Sequence, residues 1–107
     1  MNRSLSIVML FVLTTALVWA AGDPQAGKEK AQACAACHGT DGNSQNPTFP
    51  HLAGQYESYL LHSLRAYKNG GRSNPIMVGI VEPLADQDMQ DLAAYFASQE
   101  GPLQVLP

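Results

Sequence analysis

Two cysteines and a histidine within one short stretch constrain the fold of this chain of 107 residues more than any other feature. They form the string Cys34-Ala35-Ala36-Cys37-His38, which contains both cysteines of the chain. At helical spacing the two thiols and the imidazole lie on one side of the chain. Two such thiols can form thioethers to the two vinyl groups of a haem, and the imidazole is then held under the iron as an axial ligand. This C-x-x-C-H spacing is the attachment signal for c-type haem.

Three other uses of a cysteine pair fit the sequence less well. A thioredoxin-like redox pair needs a βαβ setting, and no strand pattern of alternating β-branched residues is present. A structural zinc site needs four ligands, and the chain has only two cysteines. A disulfide stays open for an exported protein, although a bridge across two intervening residues closes little loop entropy. We therefore expect one haem, bound by Cys34 and Cys37, with His38 as the proximal iron ligand.

The first twenty residues have the pattern of an export signal. Residues 1–3 carry one basic side chain, Arg3. Residues 5–19 contain no charged side chain, and Val18-Trp19-Ala20 ends on a small residue. We expect residues 1–20 to be a cleaved secretory signal peptide, which predicts a periplasmic protein. An uncleaved leader would instead anchor the protein to the membrane, because the apolar run is only slightly short of a spanning helix.

The remaining chain is acidic and poor in large apolar side chains. The leader takes one of the six basic residues, which leaves five Lys and Arg against nine Asp and Glu, a formal charge of minus four. This balance argues against nucleic acid and against an anionic membrane surface as partners. About 87 residues remain, a size at which domains often need a stabilising group. A covalently held haem would supply the missing core.

The sequence predicts an all-α chain with three main helices. The first opens at Asp23-Pro24, with Asp23 as N-cap and Pro24 at the first helical position. Loops rich in Gly, Asn and Pro separate the helices, and residues 102–107 read as a short tail after the domain at 21–101. The predicted helices cover the alanine-rich segment up to Ala36, the segment from about Gln55 to Asn69, and the segment from Asp86 to about Gln99. The two loops between them run from Gly39 to Pro50 and from Arg72 to Pro83.

Four side chains are candidates for the second axial iron ligand: Met77, Met89, His51 and His62. Met89 lies on the apolar face of the third helix and is expected in the core, whereas His62 lies off the apolar face of the second helix. His51 is close in sequence to the proximal side and is badly placed to cross the haem. We favour Met77, because a flexible loop between the second and third helices can bring its thioether over the distal face. A methionine that only fills a gap stays open as an alternative.

The motifs together resemble those of class I c-type cytochromes, above all one half of the tandem two-haem cytochromes of the c-four type and their single-haem relatives. The resemblance extends from Ala21 to about Gly101. The matching stretches are Ala26-Gly27-Lys28, Cys34 to Ser44, Phe49-Pro50, Leu52 to Gln55, Tyr59-Leu60-Leu61 and Leu84 to Ser98.

This resemblance implies a small all-α fold, the cytochrome c fold, wrapped around one covalently attached haem. Its first and last helices cross at near right angles, and Gly27 would let their backbones approach against Leu92 and Tyr95 or Phe96. The chain departs from the family pattern at Ala85, where a Ser or Thr usually caps the last helix. Two outcomes stay open: Asp86 caps this helix one residue later, or the start of the helix is frayed.

The resemblance also implies the site. It places the proximal ligand at His38, the distal ligand at Met77, and the acceptor for the second nitrogen of His38 at the Pro50 carbonyl. Ligation by His and Met raises the reduction potential relative to two nitrogen ligands. The implied activity is therefore one-electron transfer without substrate turnover, not enzymatic catalysis.

The leading hypothesis is a diffusible periplasmic carrier between redox proteins such as a membrane cytochrome complex, a terminal oxidase or a periplasmic dehydrogenase. Two alternatives stay open: an electron-transfer subunit bound permanently to a dehydrogenase, and a haem sensor or peroxidase with an open iron. The small number of lysines predicts docking through an apolar rim around the haem edge, with weak salt dependence. A homodimer would restore haem-to-haem transfer, although no feature of the sequence indicates one.

Overall fold

A computed structural model describes residues 21–104, which form an all-α domain. The expected signal peptide at residues 1–20 and the last three residues of the expected tail lie outside the described residues. The prediction of an all-α chain is confirmed, because the described residues contain helices and no strand. None of the helices within residues 21–104 is long and apolar enough to cross a membrane. The helices are α1 (Pro24–Lys30), α2 (Gln32–His38), α3 (Glu57–Asn69), α4 (Pro75–Val81) and α5 (Asp86–Ala97).

The first predicted helix is two helices that meet at Ala31. Its start is as expected: the Asp23 carboxylate accepts a hydrogen bond from the Gln25 backbone N–H at 2.9 Å, and Pro24 occupies the first turn. The break falls in an alanine-rich stretch without glycine or proline, so helix propensity does not cause it. Ala31 is buried in the hydrophobic core, which indicates that tertiary packing sets the break.

The α1 and α5 backbones touch at Gly27. A Cβ on this glycine would lie 2.0 Å from the Asp91 carbonyl oxygen and 2.7 Å from Tyr95 Cβ, so no larger residue fits. The expected contact with Tyr95 is confirmed, but the atoms nearest to Gly27 on α5 are those of the Asp91 backbone and not those of Leu92. This contact fixes the position of α5 against α1, the helix that leads into α2.

A buried carboxylate joins the same two helices. Asp91, which is 3% exposed, accepts hydrogen bonds from the Asp23 backbone N–H at 2.8 Å, Lys30 Nζ at 2.6 Å and Gln87 Nε2 at 2.9 Å. Burial raises the pKa of this carboxyl, but these three donors outweigh burial and hold the pKa below its ordinary value. The ionised form of Asp91 therefore stabilises the contact between α1 and α5.

The second predicted loop, from Arg72 to Pro83, contains the short helix α4, so the expectation of a flexible loop there is wrong. The Asn74 side chain caps α4 by accepting the backbone N–H of Ile76 at 3.1 Å and of Met77 at 3.2 Å. Pro75 occupies the first turn. An Asn cap followed by Pro is a helix-start signal, but the helix has only seven residues and its apolar run shows no clear period. Met77 consequently lies in the first turn of a helix.

The core lies between α3 and α5. Leu60 of α3 belongs to one buried cluster with Leu92, Ala93 and Phe96 of α5. These residues recur at helical spacing, as the amphipathic pattern of the sequence predicts. The core therefore occupies one side of α3.

The start of α5 differs from the expectation. Ala85 is the N-cap residue and has no capping side chain, and its backbone N–H donates to the Asp88 carboxylate at 2.8 Å. Asp86 does not act as the cap. Its carboxylate accepts two hydrogen bonds from Arg65, at 2.7 and 2.8 Å, and thereby joins α5 to α3. Arg65 and Gln90 together lower the pKa of Asp86 to about 2.

Candidate haem site

Helix α2 carries both cysteines and ends on the histidine that follows them. Cys34 and Cys37 are free thiols, and each is partly buried. Burial, together with the neighbouring Cys37, raises the pKa of the Cys34 thiol, so this group is kept protonated at neutral pH. Cys34 also packs against the hydrophobic core. The helix thus presents two unpaired thiols beside an apolar surface, as attachment of an apolar group requires.

The imidazole of His38 is buried and held in one orientation. It is 6% exposed, and its Nδ1 lies 2.8 Å from the Pro50 carbonyl oxygen. A carbonyl can only accept, so Nδ1 carries the hydrogen, and in the neutral imidazole this leaves the lone pair on Nε2. The Phe49 ring packs edge-on to the imidazole, with 6.4 Å between ring centroids. Among residues 21–104, His38 Nε2 forms no hydrogen bond. This nitrogen is therefore available as a metal ligand.

The loop that supplies Pro50 is fixed to α5. Gly42 has a φ of 85°, and its carbonyl accepts the backbone N–H of Leu52 at 2.8 Å and of Ala53 at 3.1 Å. A Cβ on Gly42 would lie 2.8 Å from the Phe96 ring, so the loop lies directly on the last helix. The Tyr95 hydroxyl donates to the Thr40 carbonyl at 2.8 Å. The loop around Pro50 is thus held against α5 and by backbone bonds to Gly42.

The donor set of this site suits a group that brings its own equatorial ligands. In the part of the chain that the structure describes, no three His, Cys, Asp or Glu side chains converge into a metal site. The alternative of a zinc site made from such side chains therefore finds no support there. One free imidazole nitrogen beside two thiols matches a haem, in which the porphyrin supplies four nitrogens and two vinyl groups.

A buried hydroxyl on α3 lacks the hydrogen-bond partner that such a group normally has. Ser63 Oγ is buried and has no hydrogen-bond partner among the described residues. Unpaired buried polar atoms are rare in folded proteins. The burial of this hydroxyl could be predicted from the sequence, since Ser63 is a polar residue on the apolar face of the second predicted helix. That position alone assigns the hydroxyl no role.

The four candidates for a second axial ligand differ in their placement. Met77 is partly buried in the first turn of α4. Met89 is 3% exposed on α5, as expected for a core residue, and His62 is exposed on α3, as expected for a solvated one. His51 is exposed in the loop beside Pro50, where its Nδ1 accepts the Ser44 backbone N–H at 3.1 Å. Met77 is the candidate that is neither in the core, nor fully exposed, nor engaged on the proximal side.

Ser44 is the residue near the site to which sequence reasoning gave no role. Its hydroxyl lies 3.3 Å from the Cys37 carbonyl and 2.8 Å from the Asn46 carbonyl, and it accepts the Asn46 backbone N–H at 3.2 Å. Serine often forms such local hydrogen bonds in turns. That tendency predicts a turn at Ser44, but it does not predict that the turn contacts His51.

Comparison with known proteins also indicates a haem-binding cytochrome over nearly the whole described region. The cytochrome c family model matches residues 24–100. Cytochrome c4 of Pseudomonas aeruginosa is 51% identical over 100 residues, which are 94% of this chain and 50% of the relative. Cytochrome c-554(548) of Halomonas halodenitrificans is 45% identical over 83 residues, which are 75% of this chain and 100% of the relative.

A solved structure confirms the similarity of fold. Reduced recombinant cytochrome c4 from Pseudomonas stutzeri matches with a TM-score of 0.73 and 51% sequence identity, over 76% of this chain and 47% of that one. The chain spans about half the length of the cytochrome c4 relatives that it matches. The expected resemblance to one half of a tandem c-four-type cytochrome is confirmed.

Proposed function

The chain belongs to the cytochrome c family, whose members carry covalently attached haem c and transfer electrons, and from this premise we propose that it is a periplasmic one-electron carrier. The observation that carries the proposal is the state of His38. Its Nδ1 is hydrogen-bonded to the Pro50 carbonyl oxygen at 2.8 Å, and its Nε2 is free. Two unpaired thiols precede this histidine on the same helix.

Each residue of the site then has a separate task. Cys34 and Cys37 would hold the haem through two thioether bonds, and His38 Nε2 and Met77 Sδ would coordinate its iron. When bound, the haem would supply one-electron chemistry between Fe(II) and Fe(III). The Pro50 carbonyl fixes the tautomer of His38 and raises the basicity of Nε2, which favours the oxidised iron. The soft thioether of Met77 favours the reduced iron.

A methionine on α4 distinguishes a carrier from a sensor or peroxidase with an open iron. The Asn74 cap holds the backbone of the first turn of α4, including the Met77 N–H. With Met77 as an iron ligand, gases and peroxides would be excluded from the haem, which would leave electron transfer as its reaction.

Replacement of the proposed distal ligand tests this assignment. We expect Met77→Ala to lose the weak far-red absorption band that is typical of ferric haem with a methionine ligand, and to bind carbon monoxide rapidly when reduced. Met89→Leu is the matched control, because Met89 is buried in the core and should leave the band unchanged. A band that persists in Met77→Ala would refute the ligand assignment. Rapid carbon monoxide binding by the unaltered protein would favour the sensor or peroxidase.

The covalent haem and the export of the protein are tested together by mass spectrometry of the purified holoprotein. We expect the mass of a chain that begins near Ala21 plus one haem. A Cys34→Ala, Cys37→Ala double variant should be exported but carry no haem adduct. If the mass corresponds to the whole chain plus haem, the leader is an anchor and the carrier is bound to the membrane.

The surface of α4 supports docking to redox proteins through apolar contacts. Ile76 is 62% exposed, and Val78 and Ile80 are each 36% exposed. All three lie on the helix that carries Met77. We infer that partners such as a membrane cytochrome complex, a terminal oxidase or a periplasmic dehydrogenase dock here, so that electrons enter and leave close to the distal ligand.

A further inference from the structure

An exposed imidazole adjoins the carbonyl that orients the proximal histidine. His51 directly follows Pro50, so the Pro50 carbonyl belongs to the peptide group that joins these two residues. The His51 side chain turns back along the loop, and its Nδ1 accepts the Ser44 backbone N–H at 3.1 Å. A shift of the backbone at His51 therefore turns the peptide group that accepts the hydrogen bond of His38.

Ser44 connects this imidazole to the other side of the site. Its hydroxyl lies 3.3 Å from the carbonyl of Cys37, the residue immediately before His38. It lies closer, at 2.8 Å, to the Asn46 carbonyl. A ring of contacts thus runs from His38 through Pro50, His51 and Ser44 to Cys37 and back to His38. This ring of contacts therefore begins and closes at the proximal histidine.

Backbone contacts hold the residues on either side of this peptide group but leave the group itself to the side chain. The Phe49 N–H donates to the Asn46 carbonyl at 3.0 Å, and the Leu52 N–H donates to the Gly42 carbonyl at 2.8 Å. Pro50 has no N–H, and within residues 21–104 the His51 N–H forms no backbone hydrogen bond. The bond from Ser44 to His51 Nδ1 is thus the contact that ties residue 51 to the opposite side of the loop.

We propose that His51 is a positioning residue for the electron-transfer site, which acts through the Pro50 carbonyl on the hydrogen bond of His38. The proposal rests on the role of His38 as an axial ligand. A firm Nδ1–H bond raises the basicity of the ligating nitrogen and favours the oxidised iron. When the Pro50 peptide group loosens, this bond weakens and the reduction potential rises.

The test compares three variants of the holoprotein at a pH above about 8, where imidazoles are generally neutral and charge does not change. His51→Ala removes the acceptor. His51→Asn places an amide oxygen near the position of Nδ1 and restores it. His62→Ala removes another exposed imidazole, on α3, as a matched control. The two readouts are the reduction potential and the rate at which the His38 Nδ1 proton exchanges with solvent, observed by NMR in the reduced protein.

We expect His51→Ala to have a more positive potential than the unaltered protein and an exchange rate about fivefold higher, as befits a weakened neutral hydrogen bond. His51→Asn and His62→Ala should resemble the unaltered protein in both. The far-red band should persist in all three variants, because Met77 is not involved.

Each contrary result points to a different error. If His51→Ala leaves both readouts unchanged while the far-red band is present, the positioning role is wrong and the proposed function stands. If the unaltered protein lacks the band, the Met77 assignment fails, but a more positive potential in His51→Ala still supports the positioning role, because that role depends on His38. His51→Gln gives a second comparison if His51→Ala does not fold, because its longer amide does not reproduce the Nδ1 position. A His51→Gln protein identical to His51→Asn would overturn the proposal.

Discussion

At Gly27 the distance between two backbones decides which side chain the chain can accept. The Asp91 carbonyl oxygen would lie 2.0 Å from a Cβ at this position, and backbone atoms cannot move aside as a flexible side chain can. The glycine also holds α1 in register with the buried Asp91 carboxylate. The absence of a side chain at this position therefore permits the close contact between α1 and α5.

We expect Gly27→Ala to lower the free energy of unfolding by about 1–3 kcal/mol, the usual cost of overpacking. Denaturant unfolding followed by circular dichroism measures the change. Gly79→Ala is the matched control, because a Cβ at Gly79 on α4 would meet no atom within 4 Å. That variant should be neutral or gain about 0.5–1 kcal/mol from its higher helix propensity. Equal losses in the two variants would show that the close approach at Gly27 is not the cause.

At the scale of helices, a buried ion pair and an exposed one join different parts of the domain. Asp91 of α5 binds Lys30 of α1 with a carboxylate that is 4% exposed. Asp86 at the start of α5 binds Arg65 of α3 with a carboxylate that is 52% exposed. Solvent screens the exposed pair much more strongly than the buried one. The link between α1 and α5 is therefore the one whose loss matters for stability.

The α1–α5 link predicts sensitivity to acid. The pKa of Asp91 is lower in the folded chain than in the unfolded chain, so its stabilisation is complete above about pH 4 and is lost as the pH falls through the folded-state pKa. We expect Asp91→Asn to lower the free energy of unfolding at pH 7 by about 1–3 kcal/mol, since a buried charged hydrogen bond is lost.

Denaturant titrations between pH 7 and pH 3 measure both parts of this prediction. The Asp91→Asn protein should also lose less stability on acidification than the unaltered protein. Asp86→Asn should cost clearly less at neutral pH, because its ion pair is exposed. Acid sensitivity that is unchanged in Asp91→Asn would show that another carboxyl carries it.

At the scale of the whole molecule, the surface offers little basic charge and several exposed apolar side chains. The chain has six Lys and Arg residues against nine Asp and Glu residues. Among the described basic residues, Lys30 and Arg65 are occupied in ion pairs. Apolar side chains are exposed on α4 beside Met77, including Ile76. The surface as a whole therefore favours docking that depends on apolar contact more than on charge.

We expect the rate of electron transfer with a redox partner to change by less than about tenfold between low and moderate salt. Stopped-flow kinetics against a partner dehydrogenase or oxidase measures this. Ile76→Ser should slow the reaction while the far-red band persists, and Lys28→Gln should have little effect. A fall of several orders of magnitude with salt would contradict apolar docking.

The sequence by itself determined the class of fold and indicated a covalently bound haem. The C-x-x-C-H spacing places Cys34, Cys37 and His38 on one side of a helix, and helical periodicity predicts the segments that became α3 and α5. These inferences succeed because they depend on neighbours three or four residues apart, where helical geometry fixes the spacing. The Asp23 cap could be predicted for the same reason.

Only the tertiary structure decided how the segments meet. The break at Ala31, the pairing of Asp86 with Arg65 and the contact of His51 with Ser44 depend on partners that local patterns do not specify. Helix α4 had a local signal in Asn74-Pro75, but it is too short for periodicity to reveal it. The physical reason is that short helices and single hydrogen bonds gain their stability from packing, which involves residues far apart in the chain.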